Sequence, residues 1–190
     1  MPEKRDPTSP RQRLFFALWP DDSVRQSLAS IASKSLKRRG RKVPAENLHL
    51  TLAFLGYVSP EVRGRVESMA DGITAAPFTL EFTHLGVWPR PRVIWSGCEQ
   101  TPLALTALVD ALRRGLKACG VKPEVRPYRV HLTLARKASV APDFGEAHAP
   151  VSWSVEGFHL VESKTLSSGA EYKILRSWPL RGPRGHSLAH

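Results

Sequence analysis

Apolar and polar positions along the chain divide it into short apolar runs and a few segments of helical spacing. Arg13 to Leu18 reads Arg-Leu-Phe-Phe-Ala-Leu, the length and character of a buried strand. Asp21 or Asp22 then N-caps a helix that runs to about Arg39, with Val24, Leu28, Ile31 and Leu36 on its apolar side. A strand at Leu48 to Leu55 is followed by Ser59-Pro60, which opens a second helix reaching about Ile73, proline being suited to the first helical position. Strands at Phe78 to Leu85 and Val93 to Cys98 are joined by the loop Trp88-Pro89-Arg90-Pro91. Thr101-Pro102 opens a third helix carrying Leu105, Leu108, Val109, Leu112 and Leu116. A strand at Tyr128 to Ala135, a loop around Pro142 to Pro150, and strands near Trp153 to Glu162 and Tyr172 to Ser177 complete the order. Strands mixed with a few helices, rather than strict alternation, predict an α+β fold with largely antiparallel sheets.

Two of these strands carry the same tetrapeptide, His49-Leu50-Thr51-Leu52 and His131-Leu132-Thr133-Leu134, 82 residues apart. That period is too long for a solenoid and suits a duplicated half-domain. Each copy follows a helix end, a glycine (Gly40, Gly120) and a basic segment. Because side chains alternate along a strand, His49 and Thr51 share one face, as do His131 and Thr133. If the polar faces meet, the cleft between them holds two imidazoles and two hydroxyls with no carboxylate in either motif. That is equipment for proton transfer around a bound anion.

Charge sharpens the picture. The 190 residues carry 28 Lys and Arg against 17 Asp and Glu, a net charge of +11, much of it clustered at Lys34 to Lys42 and Arg113 to Arg129, where the chain enters the motif strands. Such patches attract polyanions. The hydrophobic content of 42% is enough for one domain with a buried core. The polar N-terminus shows neither a signal-peptide core nor a membrane span, so a cytoplasmic protein is expected. Residues 1–12 and 181–190 read as flexible tails around a domain at 13–180. Cys98 and Cys119 lack metal or redox spacing and read as reduced, buried thiols.

Around the motifs, Arg136 is a candidate phosphate contact, since a guanidinium supplies charge and a donor fork together. Strict alternation from His131 puts it on the opposite face, so this role requires a bulge or the strand's end. Phe15, Phe16 and Tyr172 are candidates for contact with a nucleobase, each weighed against a place in the core. Arg41 and Lys42, in the basic loop, are candidate RNA contacts. His84 and His159 have no Thr partner and read as structural or surface histidines; His148, His186 and His190 fall in a loop or tail. A metal site built on His49 and His131 lacks a third ligand at recognisable spacing, so neither metal nor cofactor is expected.

The chain resembles bacterial and archaeal RNA 2′,3′-cyclic phosphodiesterases, also called 2′-5′ RNA ligases, of the 2H phosphoesterase superfamily. The resemblance rests on the two His-x-Thr motifs and on Arg13 to Leu18, Asn47 to Gly56, Pro91 to Trp95, His131 to Arg136, and Leu160 to Ser163 ahead of Gly169 and Tyr172. It implies two pseudo-symmetric lobes, each an antiparallel sheet backed by helices, facing each other across a central cleft. It implies His49 and His131 as the catalytic pair, with His49 as general acid and His131 as base, and Thr51, Thr133 and Arg136 on the phosphate. The implied substrate is RNA ending in a 2′,3′-cyclic phosphate, tRNA fragments being one candidate, opened to a 2′-phosphate by a monomer; ligation to a 2′-5′ linkage is implied beside it. Val130 stands where proline is common in the family and Lys42 where an aromatic is common. Two alternatives stay open from the residues alone: a noncatalytic RNA-binding module, and a phosphodiesterase for a different cyclic or 2′-5′ diester.

Overall fold

The computed structural model describes residues 10–182, apart from 38, 123, 125, 140–144 and 167–168. Nine strands and three α-helices follow in the order β1 (Gln12–Leu18), α1 (Asp22–Leu36), β2 (Arg41–Lys42), β3 (Leu50–Val58), α2 (Pro60–Asp71), β4 (Phe78–Trp88), β5 (Val93–Gly97), α3 (Leu103–Ala118), β6 (Leu132–Arg136), β7 (Gly145–Val155), β8 (Gly157–Leu166) and β9 (Gly169–Pro179). The fold is α+β. One sheet has the order β3-β1-β8-β9, the other β2-β6-β5-β4-β7. Every pairing is antiparallel.

Helix starts follow their caps. Asp21 accepts from the Val24 amide at 2.9 Å, and Ser59 caps α2 ahead of Pro60. α1 stops at Leu36, short of Arg39.

The two halves are interleaved. β8 and β9, from the end of the chain, complete the sheet begun by β1 and β3, while β2, from the first half, caps the edge of the second sheet beside β6. A single core runs through both lobes, from Leu14, Phe16 and Leu18 to Leu132, Leu134 and Trp178. β1 is buried on both faces: Phe15 and Ala17 join Val161 in a small cluster on the other side, with Trp19 and Tyr172 packed against it. Phe16 is therefore a core residue, fully buried against Phe158 and Trp178, and is not available to a nucleobase.

The last third departs from expectation. The segment read as a loop up to Pro150 is largely β7, and His148 lies within this strand. β7 is an edge strand, where a proline's missing N–H costs no ladder bond, and its register against β4 shifts between Phe82 and His84, beside Pro150. The single strand read near 153–162 is two strands that meet at Glu156. Gln12 already belongs to β1, and Leu180 is buried with its amide on the Glu156 carbonyl. Residues 1–9 and 183–190, with His186 and His190 and most of both expected tails, lie outside the described residues.

Candidate active site

Both His-x-Thr motifs open onto one cavity of about 330 Å³, whose lining includes His49, Thr51, His131, Thr133 and Arg136. The two histidines sit one residue before the ladders begin, at Leu50 and Leu132, rather than within the strands. In the first repeat this happens because β1 ends at Leu18, the partner of Leu50.

The same device aims each ring. Nδ1 of His49 donates to the Asn47 carbonyl at 2.7 Å, and Nδ1 of His131 donates to the Arg129 carbonyl at 2.8 Å. A carbonyl only accepts, so the proton belongs on Nδ1 in both rings and Nε2 is left to exchange a proton with a bound group. Tyr128 ties the repeats together, its hydroxyl donating to the Thr51 carbonyl at 3.1 Å.

A β-bulge resolves the position of Arg136. β6 pairs with β5 as Ile94↔Ala135 and then Trp95↔Thr133, so Leu134 is an extra residue and the alternation shifts beyond it. Arg136 thereby returns to the cavity that Thr133 lines. The first repeat has the same bulge: Phe16↔Ala53 is followed by Ala17↔Thr51, with Leu52 as the extra residue. There the shift brings Phe54 to the cavity, half exposed.

Aromatic side chains hold the imidazoles. Trp19 stacks on His49 at 5.2 Å and 4°, Tyr172 meets it edge-on at 4.9 Å, and Phe15, 2% exposed, lies beneath at 5.1 Å. Phe15 is thus the floor under His49, with almost no face to offer a base. His131 packs against Trp88 at 4.4 Å. Trp88 in turn meets Trp95 at 5.7 Å, and the Trp95 indole passes so close to Gly86 that an added Cβ would lie 2.4 Å from it. Trp19, Phe54 and Trp88 were not among the residues singled out from sequence. Only Phe54 had a usable signal, its place in the repeat.

Burial makes the pair unequal. It drives His49 down from 6.5 to about 4, opposed by the hydrogen bond to Asn47 and reinforced by the positive charges of Arg136 and His131. Burial also lowers His131, but the Arg129 carbonyl and the Glu124 carboxylate both oppose it. The proton therefore settles more readily on His131 in the free protein.

The other candidates divide. Tyr172 lines the cavity, whereas Arg41 and Lys42 form β2 and line an adjoining groove with Lys137, Asn47 and Glu171. His84 and His159 lie on β4 and β8, next to Thr83 and Ser177. His148 Nε2 lies 2.8 Å from the buried Ser96 hydroxyl. Among the described residues no three His, Cys, Asp or Glu side chains converge as a metal site, and no helix is long and apolar enough to cross a membrane.

Comparison with known proteins gives the family of the chain. The family described as "LigT like Phosphoesterase" matches residues 18–95 and 97–172, one His-x-Thr motif in each stretch. The chain is 36% identical over 170 residues to the RNA 2′,3′-cyclic phosphodiesterase of Escherichia coli K12, covering 89% of this chain and 97% of that protein. It is 33% identical over 174 residues to the protein of that name from Archaeoglobus fulgidus, covering 86% and 98%. The crystal structure of E. coli LigT in apo form superposes with a TM-score of 0.82 at 36% identity, over 90% of this chain and 99% of that one. The E. coli LigT structure with 3′-AMP gives the same TM-score over 90% and 98%. Matched in sequence through both motifs and in fold over nine-tenths of its length, the chain belongs to the LigT-like phosphoesterase family.

Proposed function

We propose that the chain opens RNA 2′,3′-cyclic phosphate ends to 2′-phosphate ends, without a metal, with His49 and His131 as paired acid and base. The observation that carries this reading is the shared cavity, in which two imidazoles, each with Nδ1 committed to a backbone carbonyl, meet Thr51, Thr133 and Arg136. The hydroxyls and the guanidinium bind the non-bridging phosphoryl oxygens, where transition-state charge is held. Nε2 of His131 takes a proton from water as its oxygen attacks phosphorus, the bond to O3′ breaks in line, and Nε2 of His49 delivers its proton to that leaving oxygen. General acid-base help of this kind is typically worth ~10²–10⁴-fold.

His49 as acid must carry the proton that the free protein places more readily on His131. This direction therefore requires the bound phosphate anion to raise His49 above its partner. With an RNA 5′-hydroxyl in place of water, the same groups form a 2′-5′ linkage. The enzyme acts in the cytoplasm as a monomer, the folded unit at 13–180 being sufficient, with tRNA fragments among its candidate substrates.

Product analysis on a short oligonucleotide ending in 2′,3′-cyclic phosphate, in the presence of chelator, tests the reading. A 2′-phosphate product is expected. Absence of turnover, or turnover only on adding a divalent metal, would overturn it.

A further inference from the structure

We propose that the groove leading from His131 past Phe54 to Arg90 and Arg113 holds the RNA strand on the 5′ side of the cyclic phosphate. The inference rests on the phosphodiesterase reading above. The groove has a volume of about 510 Å³ and shares Thr51, Phe54, Trp88, Pro91 and His131 with the catalytic cavity, so it opens directly out of it.

Its chemistry fits a single strand. Arg90, Arg113, Arg126 and Arg129 line it against one carboxylate, Glu124, and that carboxylate lies 3.3 Å from Arg126. Among the described residues no ion pair engages Arg90, Arg113 or Arg129. Arg113 is held at the wall by donating to the Arg126 carbonyl at 2.9 Å. Phe54, 50% exposed, and the rings of Trp88 and Tyr128 supply apolar faces between these cations. Cations that follow a backbone, with aromatic faces between them, are how proteins hold single-stranded nucleic acid.

The groove on the opposite side, at Arg41 and Lys42, fits less well. Among the described residues it shares Arg136, Ala170 and Tyr172 with the catalytic cavity but neither histidine, and it includes Glu171.

The test compares a pentanucleotide ending in 2′,3′-cyclic phosphate with a mononucleoside 2′,3′-cyclic phosphate. The double variant Arg90→Gln/Arg113→Gln is expected to raise KM for the pentanucleotide about tenfold and to lower its salt slope by about 1.4, from two lost single-strand phosphate contacts. The mononucleotide should be turned over as before. Arg90→Lys/Arg113→Lys, which keeps charge but not the guanidinium fork, should retain most of the affinity and so separates RNA contact from loop anchoring. Equal losses on both substrates, no loss on the pentanucleotide, or a loss confined to Arg41→Gln/Lys42→Gln would each overturn the proposal. Should the wild type leave both the pentanucleotide and the mononucleotide unopened, the phosphodiesterase reading fails by itself. Fluorescence anisotropy of a labelled pentanucleotide ending in 2′-phosphate then still reads the groove, and unchanged affinity in the glutamine variant would overturn it.

Discussion

Phe54 stands in the first repeat where Arg136 stands in the second. Each lies 82 residues from its counterpart, as His49 does from His131, and each follows a bulge at the matching residue, Leu52 or Leu134. Equivalent backbone thus delivers an aromatic ring to one side of the cavity and a guanidinium to the other. The difference breaks the symmetry of a site whose imidazoles and hydroxyls are otherwise paired, and it gives a nucleotide two unlike ends to meet.

Phe54→Ala should accordingly raise KM for a nucleoside 2′,3′-cyclic phosphate by an amount corresponding to about 1–3 kcal/mol of base stacking. It should leave a base-free ribose 2′,3′-cyclic phosphate almost untouched, whereas Arg136→Gln should impair both. Steady-state kinetics on the two substrates checks this; equal impairment by Phe54→Ala would assign the ring to shaping the pocket.

Removing either imidazole should be severe. His49→Ala and His131→Ala are each expected to lower turnover by at least ~10²-fold, within the range of general acid-base catalysis. Circular dichroism should show both variants folded. Thr51→Ala and Thr133→Ala should lose less, having given up a hydrogen bond to phosphate rather than a proton carrier. A single histidine variant with near wild-type turnover would end the two-imidazole mechanism.

The direction of proton flow is open to a chemical test. Sulfur in place of the 3′ leaving oxygen departs with far less protonation, so it should rescue His49→Ala much more than His131→Ala. Rescue of His131→Ala alone would exchange the roles and agree with the proton preference of the free protein.

Burial of a neutral His49 has a pH signature. Its folded pKa of about 4 lies below the ordinary 6.5, so the unfolded chain binds the proton more readily. The stability associated with His49 is complete above about 6.5 and is lost as pH falls towards 4. Denaturant unfolding of His49→Gln between these pH values should show a shallower decline than wild type. The remaining slope reflects His131 and His159, which burial also depresses. An identical slope in both proteins would mean that His49 is solvated.

Gly86 supports the second imidazole from behind. An added Cβ would lie 2.4 Å from the Trp95 indole, which packs on Trp88 and through it on His131. Gly86→Ala should cost about 1–3 kcal/mol by overpacking, measurable as a lowered unfolding midpoint.

The chain alone determined most of the elements and located the candidate groups of the site, because both are local. Apolar spacing located β1, β3 to β6 and all three helices within a few residues, and the caps at Asp21 and Ser59 marked where two of those helices begin. The repeated His-Leu-Thr-Leu identified two imidazoles and two hydroxyls, because alternation on a strand puts His and Thr on one face whatever the partner strand is. Everything that depends on pairing was left to tertiary structure. Arg136 was assigned to the wrong face by strict alternation, since the bulge at Leu134 exists only in the register against β5. Phe16 was a candidate base contact until β8 and β9 covered that face of β1 with Phe158 and Trp178. The stretch up to Pro150 reads as a loop in the sequence, and only the sheet order shows that it pairs as part of β7, an edge strand in which Pro150 is tolerated. The inequality of the two histidines also arises in three dimensions, because Phe15, Trp19 and Tyr172 come from opposite ends of the chain to bury one ring more deeply than the other.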